Sequence, residues 1–128
     1  MYRYHPDEAP DLEFWLSLDE QERIQLAEAF HRSERVELPN LKAHATFHAM
    51  VENQIAEGLE SVVRAMARLE RQGLSRHDAL HAIAWVLAKH FFEVVNAKHP
   101  DSPAVVQARY DAAVERLDAN AWREQGAS

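Results

Sequence analysis

Two short segments of the sequence carry histidines at a spacing that suits metal binding. His44 and His48 are four residues apart with Glu52 four residues further on, and His77 and His81 repeat the interval. Positions i and i+4 lie on the same face of an α-helix, so each pair could present two imidazoles to one ion. The chain has no cysteine, and imidazole without thiolate suits zinc, iron, nickel or copper. The sequence therefore predicts a divalent transition-metal site, with zinc as the first candidate and iron as the second.

Both histidine pairs fall within the apolar stripe of their own helix when the residues are placed at about 100° intervals. The first pair aligns with Val51 and Ile55, and the second aligns with Ala84 and Ala88. Buried imidazoles need partners, because an unpaired polar group in a protein core costs free energy. The predicted metal ligands are His44, His48, Glu52, His77 and His81.

Glu52 and Arg76 are the predicted catalytic residues. His44 and Glu52 cannot both ligate one ion directly, because positions i and i+8 lie about 12 Å apart along a helix. Either one residue of this helix lies outside the ligand shell, or the site holds two ions. Glu52 could be a ligand, orient a ligating imidazole, or act as general base toward a metal-bound water. Arg76 is expected to pair with Glu52 or to hold an anionic substrate.

The remaining histidines show no such pairing, and Asp78 is expected to cap its own helix rather than to bind metal. These histidines are interpreted as surface or incidental residues: His5, His31, His90 and His99.

Length and composition indicate the kind of protein that must position these residues. The chain has 128 residues, of which 47 % are hydrophobic, and one domain over residues 1–128 is expected. It has 3 Gly and 5 Pro, too few for the many turns of a small β-sandwich. An all-α bundle is therefore predicted.

Charge and hydropathy argue against two classes of partner. Lys and Arg number 14 against 21 Asp and Glu, a net charge of −7, so a nucleic-acid partner is not expected. The first twenty residues have no apolar stretch typical of a secretory signal, and no segment approaches the roughly 18 apolar residues of a membrane span. A cytoplasmic protein without a membrane partner is expected, acting on a small-molecule substrate that the sequence does not identify.

The spacing of apolar residues is helical along most of the chain. Ser17 and Glu20 have the spacing of a capping box, Asn40 is expected to cap the next helix, and residues 35–39 are expected to form a loop. The predicted helices run from this first cap to about Ser33 and over 41–57, 61–72, 76–98 and 103–118, with a short C-terminal turn that buries Trp122.

A break at Gly58 is needed to bring the two histidine pairs together. A continuous helix over 41–72 would place His48 about 37 Å from the following turn and His81 about 12 Å beyond it. Glycine followed by a serine that can cap is a stop-and-restart signal, and Ser61 follows Gly58. With the break, helices 41–57 and 76–98 are expected to run parallel and to place the two pairs at one level.

The predicted helix 76–98 is apolar on more than one side, which is typical of a central helix or an oligomer interface. The bundle is expected to be built around it. Val86, Phe91 and Val94 are expected to be exposed on this helix, and they favour a homodimer.

Two runs resemble an uncharacterised bacterial domain-of-unknown-function family of small helical proteins. They are the pattern HxxxHxxVExQ over 44–54 and the pattern RHxAxHAI over 76–83. The run that begins at Trp15 is also similar, so the resemblance covers about half the chain. Members of that family often have prolines where this chain has Leu59 and Glu60. The resemblance implies a helical fold, the break and the histidine site, and it implies no activity.

Two other families share parts of the pattern. His48-x3-Glu52 with His77-x3-His81 resembles the di-iron pattern of hemerythrin-type proteins, but the expected last helix, 103–118, lacks the histidine that this family needs. Arg76-x4-His81 resembles the motif of HEPN ribonucleases, which would imply RNA cleavage without metal. The acidic charge of the chain argues against an RNA substrate.

Three functions therefore stay open from sequence. The first is a metal-binding helical protein, which could be a hydrolase or a metal-dependent accessory factor. The second is a non-catalytic interaction module with a structural network of buried histidines. The third is the metal-independent, HEPN-like ribonuclease.

Overall fold

The computed structural model describes residues 2–33 and 40–124, and this part of the chain is an all-α bundle without strands. The predicted loop over 35–39 lies outside the described residues. The helices are α1 (Leu12–Ser17), α2 (Glu20–Ser33), α3 (Leu41–Ala56), α4 (Glu60–Arg71), α5 (Arg76–Asn96), α6 (Pro103–Glu115) and α7 (Ala119–Glu124).

Most helix starts are set by side-chain caps. Asn40 accepts a hydrogen bond from the backbone N–H of Ala43, and Ser75 and Ser102 cap α5 and α6 in the same way. The predicted cap at Ser17 is wrong, because this residue ends α1. The box lies two residues later, where Asp19 and Glu22 each accept a hydrogen bond from the other's backbone N–H.

The predicted break between α3 and α4 is confirmed. Gly58 has a φ of +74°, a left-handed conformation that glycine adopts without steric cost. The N–H groups of Gly58 and Leu59 donate to the carbonyls of Ile55 and Gln54, which closes the end of α3. Ser61 is not the cap of α4, however, since it lies buried inside that helix and donates to Asp111.

The core consists of two hydrophobic clusters that meet at α3. The larger cluster holds the buried faces of α4, α5 and α6, together with Val51 and Trp122. The smaller one joins the N-terminal segment, α1 and α2 to Ala45 and Ala49 of α3. α5 packs against α3, α4 and α6, which confirms its predicted central position. The predicted burial of Trp122 is also confirmed.

The predicted parallel arrangement of α3 and α5 is wrong. Glu52, late in α3, pairs with Arg76 at the start of α5, whereas His44, early in α3, lies against His81 further along α5. Phe47 contacts Phe91 in the C-terminal half of α5. The two residues early in α3 therefore contact α5 further along the helix than Glu52 does, which is the opposite of the order expected for parallel helices.

The C-terminal half of α5 carries exposed apolar side chains. Phe91 and Val94 are exposed as expected, together with Phe92 and Val95. Val86 is buried, so that part of the prediction is wrong. None of the helices in the described residues has the length and apolar character needed to cross a lipid bilayer.

Candidate metal centre

Four imidazoles converge where α2, α3 and α5 meet. Each offers one ring nitrogen, and these four nitrogens all lie within 4.8 Å of one another. The residues, called here the four-histidine cluster, are His31, His44, His48 and His81. His31 lies on α2, His44 and His48 lie on α3, and His81 lies on α5. Tertiary packing of these three helices therefore brings the four imidazoles together.

His31 is a member that sequence reasoning missed, and its interpretation as a surface or incidental residue is wrong. It is buried, and its Nδ1 lies 2.7 Å from the carbonyl oxygen of Ala27. Because a carbonyl only accepts, Nδ1 carries the proton and Nε2 is left with its lone pair. That Nε2 is buried and has no hydrogen-bond partner in the described residues. This is how metal-binding imidazoles are commonly held.

The signal for His31 was present in α2. Ile24 and Ala27 line the buried face of that helix, and His31 follows them at the i+7 and i+4 positions. The apolar stripe of α2 thus indicates a buried position for this lone histidine, as the stripes of α3 and α5 do for the two histidine pairs.

His48 is the most unusual member of the cluster. Its exposed fraction is 0 %, and neither Nδ1 nor Nε2 has a hydrogen-bond partner in the described residues. Leaving buried polar atoms without partners costs about 1–3 kcal/mol each. The burial of His48 therefore costs free energy that a partner for its ring nitrogens would offset.

His44 on α3 and His81 on α5 complete the cluster. Their Nε2 atoms lie 3.1 Å apart, and both residues are half-buried. The predicted ligands His44, His48 and His81 are thus brought together.

His77 lies beside the four-histidine cluster but is not one of its members. Its ring centroid is 4.3 Å from that of His81 and 5.5 Å from that of His48. Its Nε2 is buried and has no hydrogen-bond partner in the described residues. Its backbone N–H donates to Asp7, which holds the N-terminal segment against the start of α5.

Glu52 does not join the cluster. Its side chain is 1 % exposed and forms a two-bond ion pair with Arg76, with both N–O distances 2.8 Å. The hydroxyl of Tyr4 also donates to Glu52, and Arg76 donates to the carbonyl of Pro6. The two predicted catalytic residues are therefore paired with each other one helical turn from the imidazoles. Their hydrogen bonds to Tyr4 and Pro6 hold the N-terminal segment against this pair.

Burial favours the neutral form of four imidazoles, those of His44, His48, His77 and His81. Loss of solvation, reinforced by the neighbouring histidines, lowers the pKa of His44 to about 4 and that of His81 to about 3. The same causes lower the pKa of His48 still further. Burial also lowers the pKa of His77, although Asp7 and Asp78 oppose the shift. Neutral imidazole is the form that ligates metal, so the rings are ready to bind at neutral pH.

Comparisons with known proteins do not indicate a function for this chain. No family model, no curated protein and no solved structure matches the chain. What the chain contains is a helical fold with a histidine cluster that could hold a metal ion.

Proposed function

We propose that the protein binds one divalent transition-metal ion through four imidazole ligands. The ligands are His31, His44, His48 and His81. The observation that carries this proposal is that buried ring nitrogens of His31 and His48 have no hydrogen-bond partner among the described residues and lie inside a group of four histidines. A bound ion would satisfy one such nitrogen on each of these two rings, whose burial is otherwise unfavourable.

The distances suit a single ion. Four nitrogens at about 2.0–2.1 Å from a tetrahedral zinc ion lie about 3.3 Å from one another. The Nε2 atoms of His44 and His81 are already 3.1 Å apart, and all four ligand atoms lie within 4.8 Å. Small side-chain rotations would close the remaining gaps. Zinc is the first candidate and iron the second, because neutral nitrogen ligands suit both metals.

An ion at this position would also stabilise the fold. Its ligands come from α2, α3 and α5, which belong to the two hydrophobic clusters. A ligand that binds only the folded state adds about 4 kcal/mol of stability at a thousand times its Kd. Metal binding should therefore raise the melting temperature markedly.

The alternative is a structural network of hydrogen bonds between imidazoles. The contact between His44 and His81 favours it, since one Nε2–H could donate to the other Nε2. In the described residues such a network leaves both nitrogens of His48 without a partner, whereas a metal ion would bind one of them. We therefore place metal binding first.

Elemental analysis of protein purified without a histidine tag tests the proposal. We expect about one equivalent of metal per chain in the wild type, and His48→Ala or His81→Ala should abolish it. His90→Ala is the matched control, because its Nδ1 bonds to the carbonyl of Val86 just as that of His31 bonds to Ala27. His90 lies outside the cluster and its loss should leave the metal content unchanged.

Thermal unfolding separates the two interpretations. Metal-loaded wild type should melt well above the EDTA-treated protein, and His48→Ala should show no such difference. If loaded and EDTA-treated wild type melt alike and neither variant alters metal content, the histidines form a structural network and the proposal is wrong.

A further inference from the structure

The four-histidine cluster supplies no negative charge to the ion it would hold. Its ligands are four neutral imidazoles, so a divalent ion would keep its full double charge. The nearest buried carboxylate, that of Glu52, is already neutralised by Arg76. Asp7 and Asp78 are exposed to solvent, where screening weakens their effect. A buried charge needs a counter-charge or a hydrogen-bonding partner, and the described residues place neither directly at the cluster.

A fifth imidazole lies beside the cluster, where it could donate a hydrogen bond to an anion that supplies the counter-charge. The Nε2 of His77 is buried and has no partner among the described residues, and its ring packs against those of His81 and His48. Its backbone is fixed by the bond from its N–H to Asp7. His77 is thus held beside the cluster with an unused polar atom.

The members of the cluster and His77 differ in exposure. His31 and His48 are buried, whereas His44, His77 and His81 are half-buried. The three half-buried rings are therefore the side from which a small molecule would reach an ion bound by the cluster.

We infer that the ion takes a small inorganic anion as a further ligand, and that His77 binds this anion through Nε2. The inference rests on the proposed function and extends it from metal binding to anion binding at the metal. In the Nε2–H tautomer the neutral imidazole of His77 donates a hydrogen bond from this nitrogen. Four nitrogen ligands leave a divalent metal able to accept a fifth, as in sites that expand to five-coordination. His77 is a positioning residue for the anion.

Cobalt substitution with azide as the probe tests the inference. Metal-free protein is loaded with Co²⁺, whose visible d–d spectrum reports ligand number and type. Azide is then titrated at constant ionic strength. We expect a saturable spectral change in the wild type, and His77→Ala should weaken azide binding about tenfold or more, the effect of losing one hydrogen bond to a charged group. His90→Ala should bind azide like the wild type.

The outcomes separate this inference from the proposed function. If Co²⁺ gives its ligand-field spectrum but azide leaves it unchanged, the metal site stands and the anion inference fails. If His77→Ala binds azide as tightly as the wild type, the role of His77 is wrong. If no Co²⁺ spectrum forms in the wild type, the proposed function fails and the inference fails with it. His77→Gln, which keeps a side-chain N–H donor, should retain more azide affinity than His77→Ala and guards against a folding defect.

Discussion

Replacing Glu52 with glutamine should destabilise the protein strongly and leave its metal content unchanged. The Glu52 carboxylate is 1 % exposed and accepts two hydrogen bonds from Arg76 and one from Tyr4. The substitution removes the negative charge and leaves Arg76, which is 11 % exposed, with its bond to the carbonyl of Pro6. An uncompensated buried charge is the main source of the expected loss.

The expected magnitude follows from the burial of the pair. Breaking a buried ion pair by removing one partner costs about 3–5 kcal/mol, a large share of the roughly 5–15 kcal/mol that stabilises a typical domain. For a chain of this length each kcal/mol lowers the melting temperature by about 4 °C. Glu52→Gln should therefore melt about 10–20 °C lower than the wild type.

Glu115→Gln is the matched control for this measurement. Its ion pair with Arg64 has side chains that are 37 % and 58 % exposed, and exposed pairs contribute little to stability. Urea denaturation of the three EDTA-treated proteins gives the free energies of unfolding, and elemental analysis of the untreated proteins gives the metal content. A loss under 1 kcal/mol for Glu52→Gln would refute the argument from burial. Loss of metal with an intact fold would instead make Glu52 a ligand, as the sequence first suggested.

Three further predictions concern acid, the helix break and assembly. In EDTA, the free energy of unfolding should fall as the pH drops below about 6.5. Histidines of the unfolded chain bind protons in this range, whereas folded His44 and His81, with pKa values of about 4 and 3, do not. Urea denaturation between pH 7 and pH 5 checks this, and a free energy that does not change with pH would contradict it. Gly58→Ala should cost about 1–2 kcal/mol, since the φ of +74° disfavours a Cβ although no atom lies within 4 Å of it; an unchanged urea midpoint would show that the turn relaxes. If the exposed apolar end of α5 mediates a homodimer, sedimentation should show a dimer that Phe92→Glu converts to monomer, whereas a monomeric wild type would remove the dimer.

The features that the sequence predicts well are those set by neighbours along the chain. The break at Gly58 follows from the freedom of glycine at positive φ, and the cap at Asn40 follows from a side chain that reaches an N–H group three residues on. The apolar stripe of α3 likewise places His48 in the core. Each of these inferences needs only the geometry of one helix or turn.

The features that the sequence does not predict depend on contacts between distant elements. His31 joins the cluster from α2, and no local spacing relates it to a ligand on α3 or α5. The order of contacts between α3 and α5 depends on how α4 leads from one to the other. Tyr4 and Pro6 engage the ion pair of Glu52 because the N-terminal segment folds back onto it. Spacing rules for a single helix contain none of this information.

The α3 part of the four-histidine cluster lies where this helix contributes to both hydrophobic clusters. A metal ion bound there would offset the free energy cost of burying the imidazoles. α3 contributes Ala45 and Ala49 to one hydrophobic cluster and Val51 to the other, and His48 lies between these positions on the same helix. An apolar side chain there would fill the space but would not tie α2 to α5. An ion can bind imidazoles from both sides and so replaces the apolar contact with bonds in fixed directions. Metal-free protein should then lose the docking of α2 before it loses the cluster built from α4, α5 and α6, and hydrogen exchange should show amides of α2 opening first after EDTA treatment. Uniform opening of all helices in EDTA would contradict this coupling between the metal and the smaller hydrophobic cluster.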